Sequence, residues 1–430
     1  SLFNRAIPWI LSFFLILEIL PSFSYPDSTL YVLLHQANVY PIYRLVVGVL
    51  FIGVALIVWR QNKGDPPLRY ELMFLWLLVY LLLVAFIHER SLSYLDDQGI
   101  AQIFHLSWSS FLNYEAGVLY DLFFAFSFLF LWPYQKRAPK DKNVVLYLAL
   151  ILGVVSVIYA FIKGPDNSSS YLVYTSFYKS NEDFGKILFA GAFCSSVLAI
   201  EKRGAFRIGL FGVSFALSLS AWFLALGLTF WALFGANLII AFAILNSSKG
   251  ALAGKVYRFL ALGYLLLATV FLLMVAIPSP IATYLRLNFA EEFTAVFSNR
   301  SDRWSSFLNA LSSWRLFFGD GALGYYRSAL LAGQGALYQP LNGGIMEIYN
   351  DGGIIALLFY LLVIVVALSR FKKEESHHPA FFAIVLSFTA AFFLYTVLSS
   401  ERLLFSSNYL SFIVAYLFMC YPRYKDPGEE

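Results

Sequence analysis

Charge is what this sequence has least of. Only 13% of its 430 residues are Asp, Glu, Lys or Arg, whereas 60% are hydrophobic and 19% aromatic. Such a composition cannot clothe a soluble surface, which excludes an ordinary set of soluble domains. Cysteine is nearly absent: Cys194 and Cys420 are the only two, each in or beside an apolar run. No disulfide framework or metal site can be built from that pair alone, and two buried, inert thiols are expected. His35, His88 and His105 are isolated, His377 and His378 fall elsewhere, and no Asp-x-Asp is present, so no metal or other cofactor is expected. The net charge of +4 is spread along the chain without one basic patch, which argues against a nucleic-acid partner.

What the chain has in quantity is long apolar runs. With about twenty apolar residues needed per crossing, roughly twelve spans are expected, centred near 14, 50, 79, 124, 153, 194, 213, 234, 268, 362, 388 and 413. Alternate connections carry the lysines and arginines, among them Arg60, Lys63 and Arg69, then Lys136 and Arg137, Lys202 and Arg203, Lys249 and Lys255, and Arg370 and Lys372. By the positive-inside rule these connections and both termini face the cytoplasm. The run Ile208–Leu245 is too long for one helix, and a turn is expected near Ser218 to Trp222. The first apolar run, Ala6–Ser22, lacks a small-x-small cleavage pattern and is expected to stay as a helix. The fold class expected is an all-α polytopic membrane protein. Spans one to nine occupy 1–277, a large external loop 278–352, and the last three spans with a cytoplasmic tail 353–430.

That external loop interrupts the apolar pattern for about seventy residues. It holds Arg286, Arg300, Arg303, Arg315 and Arg327 and no lysine. The planar fork of arginine suits bidentate contacts to phosphate, where lysine acts as a point charge. Trp304, Phe307, Leu308 and Leu311 recur at spacings of three and four, so a short amphipathic helix is expected with Ser301 as its N-cap. Arg300 and Arg303 at its start favour a shared anion. The competing reading pairs them with Asp302 or lipid headgroups.

Further along, Phe318-Gly-Asp-Gly-Ala-Leu-Gly is a glycine-dense turn, and Glu347 and Asp351 stand four apart, on one face if helical. Glu347 is the candidate general base, with Asp351 behind it; the competing reading is a solvated helix end. Ionisable residues within spans are functional suspects because they are costly in hydrocarbon, which singles out Glu18 and Asp121. Trp304, Trp314, Tyr325 and Tyr326 suit sugar stacking or interface anchoring.

Ser301-Asp-Arg303-Trp, Phe318-Gly319-Asp-Gly321, Gly352-Gly353-Ile-Ile and Ser180-Asn181-Glu-Asp-Phe-Gly together resemble short motifs of the O-antigen polymerase and ligase superfamily. The resemblance covers the later part of the chain and the layout of helices around one late external loop. It implies a GT-C-like glycosyltransferase of the bacterial inner membrane. Its substrate would be a polyprenyl-pyrophosphate-linked oligosaccharide, held among membrane lipid, with a chain-length regulator protein as a partner the resemblance allows. Arg303 and Arg300 would then meet the pyrophosphate, with Arg286, Arg315 and Arg327 as further candidates. Two departures stand out. Leu217-Ser-Leu-Ser220 is followed by Ala221 where the family places arginine, and Asn342-Gly343 stands where the ligase branch carries His-Asn. The second favours a polymerase over a ligase; a transporter of lipid-linked sugars is the competing class.

Overall fold

The computed structural model describes residues 2–24, 39–61, 69–131, 143–166, 174–224, 266, 313–341, 343–373, 381, 384 and 409–419. These are mostly helical. Helices α1 (Leu2–Ile19), α2 (Val39–Gln61), α3 (Arg69–Ile87), α4 (Trp108–Leu131), α5 (Val144–Lys163), α6 (Asn181–Ile200) and α7 (Gly204–Phe223) precede the long loop. From it come α8 (Ser313–Phe318) and α9 (Gly324–Leu331), followed by α10 (Gly344–Lys373) and α11 (Tyr409–Met419). Helix therefore stands near each expected centre from 14 to 213 and again near 362 and 413, while the expected spans near 234, 268 and 388 lie largely or wholly outside the described residues. Among the described residues six helices are long and apolar enough to cross a bilayer, as expected of an all-α membrane protein.

Helix α6 is the axis of the bundle. Every residue from Asp183 to Ile200 is buried, although its mean hydropathy is lower than that of α5, because small residues let its neighbours close in. A side-chain carbon added at Gly191 would lie 3.2 Å from the Ala149 carbonyl oxygen of α5. On the α7 side, hydroxyls add to the apolar contact: Ser196 and Ser214 share a hydrogen bond of 2.7 Å, and Ser195 donates to the Leu210 carbonyl at 2.7 Å. Small residues and interhelical hydroxyls hold helices together where lipid offers no hydrophobic drive. Ser180 caps α6, accepting from the Asp183 amide at 3.1 Å.

One expectation needs correction. Ser218 to Trp222 is not a turn but the last part of α7, which continues to Phe223. The hydroxyls of Ser218 and Ser220 donate back to the carbonyls of Ser214 and Ala216, so these serines are satisfied inside the helix and give no reason to turn. Between α3 and α4 the chain is more than a plain connection. It folds into an antiparallel hairpin, β1 (Ser91–Leu95) with β2 (Ala101–His105), in which Leu92 pairs with Phe104. Asp96 closes the turn by accepting from the amides of Gln98 and Ile100.

Candidate functional site

The described part of the long loop folds back over the ends of α3, α4 and α10. Gly319 and Gly321 take positive φ, of 82° and 65°, and turn the chain sharply enough to bring Arg315 and Arg327 to one carboxylate. Arg327 grips Asp320 bidentately, Nε to Oδ2 at 2.5 Å and Nη2 to Oδ1 at 2.9 Å. Arg315 Nε lies 3.1 Å from Asp320 Oδ1, and its Nη2 pairs with Glu89 at the end of α3. Arg327 lies 2% exposed and Asp320 1%. Two loop arginines offered by the sequence as phosphate ligands are thus engaged in a buried ion cluster that fastens the loop to the helices. His88 joins the fastening, its Nε2–H donating to the Phe318 carbonyl at 3.0 Å, so it is not an isolated external histidine. Burial holds its imidazole below the ordinary value, outweighing the hydrogen bond to Phe318, which acts the other way.

Beside this clasp opens a cavity of about 460 Å³, within the range of about 300–1,000 Å³ usual for ligand sites. Four separate stretches of chain supply its wall. From α2 comes Arg44; from α4 Ser110, Asn113, Tyr114 and Asp121; from α9 and the segment after it Tyr325, Tyr326 and Tyr338; from the first turn of α10 Glu347. Arg44 lies 4.0 Å from Asp121, its guanidinium 5.0 Å from the Tyr120 ring centre and 5.5 Å from that of Tyr40. Tyr338 stacks on Tyr325 at 5.4 Å and meets Tyr326 edge-on at 5.7 Å. The Tyr114 hydroxyl donates to Asp351 Oδ1 at 2.9 Å, which ties the second carboxylate of α10 to the same wall.

Of the residues proposed from sequence, Glu347, Asp121 and Tyr325 line this cavity and Asp351 touches it through Tyr114. Glu347 and Asp351 are both buried, so the N-terminal end of α10 is not a solvated helix end. Glu18 lies in α1, within electrostatic reach of Arg44 and Asp121. Arg315 and Arg327 belong to the neighbouring clasp. Arg286, Arg300, Arg303 and Trp304, with the amphipathic helix expected around them, lie outside the described residues. Sequence reading missed Arg44, although an arginine just inside an apolar helix is as costly as Glu18 and the same argument would have found it. It also missed Glu89 and Asp320, whose value comes only from their partners.

Among the described residues, no group of three or more His, Cys, Asp and Glu side chains is placed to hold a metal ion. No protein-family model matches the chain, and no curated protein matches it.

Proposed function

We propose that this protein polymerises glycans of the O-antigen or capsule type at the outer face of the bacterial inner membrane. It would join polyprenyl-pyrophosphate-linked repeat units by inverting glycosyl transfer without a metal. The observation that carries this reading is the cavity itself. It puts a buried carboxyl, Glu347, beside tyrosine rings suited to pyranose faces, at the end of the bundle reached by the long arginine-bearing loop.

In this mechanism a hydroxyl of the acceptor's terminal sugar attacks the anomeric carbon of the donor. The new glycosidic C–O bond forms as the bond to pyrophosphate breaks, Glu347 takes the hydroxyl proton, and polyprenyl pyrophosphate leaves. Pyrophosphate is already a good leaving group, so the chain's task is to position two glycans and to offset the departing charge. Arg303 and Arg300 are assigned to that charge, and Arg44 with Asp121 to orienting the acceptor near Glu347.

The test is purified full-length protein with a defined polyprenyl-pyrophosphate oligosaccharide, products being sized on a gel. A ladder from wild type that disappears in Glu347→Gln and Arg303→Ala supports polymerisation. A single product on an added lipid or protein acceptor would make the protein a ligase instead.

A transporter is the second reading, and one observation favours it. Helix α10 is broken at Gly353 (φ 68°, ψ −160°), and discontinuous helices near a polar cavity are a habit of transporters. Movement of labelled lipid-linked glycan across proteoliposomes, with no ladder, would replace the polymerase reading with that one.

A further inference from the structure

Arg90 is held by rings instead of by a carboxylate. It follows α3 closely, and its backbone carbonyl accepts from the Leu106 amide at 2.8 Å, which fixes it at the base of the hairpin. From there its guanidinium lies over the Phe111 ring, 3.8 Å from the centre, and 5.4 Å from that of Trp108. Both rings belong to the first turn of α4. Among the described residues Arg90 makes no ion pair. Glu89 beside it is taken by Arg315 and Arg327, and Glu115, within electrostatic reach, has neither oxygen hydrogen-bonded. A guanidinium laid on aromatic faces is fixed in direction, while the N–H groups along its edge stay open to an acceptor.

This shelf stands where the apolar helix surface ends. Leu83, Phe86 and Ile87, at spacings of three and four, form one exposed stripe that runs to the last residue of α3, Ile87 being 71% exposed. On α4, Trp108, 69% exposed, and Leu112 are likewise turned outward. Apolar side chains exposed on membrane helices face lipid, and an exposed tryptophan beside an arginine at the helix ends marks headgroup level. The cavity lies on another side of α4. Ser110, Tyr114, Gly117 and Asp121 line it from one face, whereas Trp108, Phe111 and Glu115 stand about a third of a turn away.

We propose that Arg90, Trp108 and Phe111 form a binding site for the phosphate of a bilayer phospholipid, which holds this rim of the protein at headgroup depth. The fork of Arg90 suits two phosphate oxygens at once, and the positive end of α4 adds to the same attraction. The acyl chains lie along the exposed apolar residues of α3 and α4, so a lipid gains contacts here that a soluble anion lacks. The proposal does not rest on the polymerase reading, because none of the three residues lines the cavity.

The experiment uses full-length protein in a neutral detergent, titrated with phosphatidylglycerol, with diacylglycerol of the same chains, with polyprenyl phosphate and with inorganic phosphate, bound lipid being counted by native mass spectrometry. Phosphatidylglycerol is expected to be retained more tightly than diacylglycerol and not to be displaced by inorganic phosphate. Its tightest retention should weaken about tenfold in Arg90→Gln and about threefold in Trp108→Ala. Because Trp108 is exposed, its variant reports on the site even where Arg90→Gln fails to fold. Equal retention of diacylglycerol, displacement by inorganic phosphate, or unchanged retention in either variant would overturn the proposal. Preference for polyprenyl phosphate would overturn it too, by giving the site to a substrate lipid.

Discussion

Gly319 and Gly353 meet backbone to backbone where α10 breaks. A side-chain carbon on Gly319 would lie 2.5 Å from the Asn350 carbonyl oxygen and 2.8 Å from the amide nitrogens of Gly352 and Gly353. One on Gly353 would run into the Phe317 carbonyl and lie 2.7 Å from the Gly319 nitrogen. The Asp320 amide donates to the Asn350 carbonyl at 2.8 Å, and the Tyr80 hydroxyl to that of Gly352 at 2.9 Å, so carbonyls released by the break find partners. This contact sets the direction in which the first turn of α10 presents Glu347. Gly319→Ala and Gly353→Ala are each expected to cost about 1–3 kcal/mol from backbone strain alone and to lower turnover with stability. Thermal unfolding in detergent checks this. Gly209→Ala in α7, with nothing among the described residues within 4 Å of the added carbon, serves as the tolerated control.

Asp320 is the common partner of Arg315 and Arg327, and both guanidinium groups are buried with it. Removing its charge takes away the carboxylate that the two guanidinium groups share. Asp320→Asn is therefore expected to destabilise by about 3–5 kcal/mol, as breaking one side of a buried ion cluster does. Glu89, whose side chain is 48% exposed, is screened by water, and Glu89→Gln should cost about 1 kcal/mol or less. Equal losses in the two variants would mean the cluster is not organised around Asp320.

Hydropathy made the helices legible, because a bilayer crossing demands a long apolar run whatever the neighbours are. Internal hydrogen bonding hid the end of α7: Ser218 and Ser220 look like turn residues until their hydroxyls are seen bonded to the preceding turn. The hairpin was hidden differently, since Leu92, Tyr94 and Phe104 alternate over too few residues to outweigh the polar setting. For the site, Asp121 was readable as a carboxylate out of place in an apolar span, and Glu347 by standing four residues before Asp351 at the entry to the tenth span. The fate of Arg315 was not, because its partner Glu89 is 226 residues away and no local pattern connects them.

His88 gives a prediction in pH. Its imidazole is buried against Gly321 and the Phe318 carbonyl, with Asp320 and Asp351 acting to raise its pKa and Arg315 to lower it; burial wins and the folded value is depressed. The unfolded chain, with a value of about 6.5, then binds the proton first as pH falls. Stability contributed by the neutral ring is complete above about 6.5 and declines as pH drops from there through the depressed folded value. His88→Gln should flatten the pH dependence of the unfolding temperature on that acid side. An unchanged slope would show that another group titrates there.

Glu347 and Glu115 are two buried carboxyl groups in the N-terminal halves of their helices, and they separate catalysis from stability. Glu347 lines the cavity, whereas Glu115 is absent from its described wall and neither of its carboxyl oxygens has a hydrogen-bond partner among the described residues. An unsatisfied buried carboxyl is a cost, so Glu115→Met, of similar length and without the charge, is expected to stabilise the fold by about 1 kcal/mol or more and to leave transfer intact. Glu347→Gln keeps the shape and removes the base, so transfer should fall by about a hundredfold or more with the unfolding temperature held. Both variants need only the gel ladder and a thermal melt. If Glu115→Met stabilises the protein but abolishes the ladder, then the unsatisfied carboxyl was held in reserve for the reaction, and Glu115 displaces Glu347 as the base.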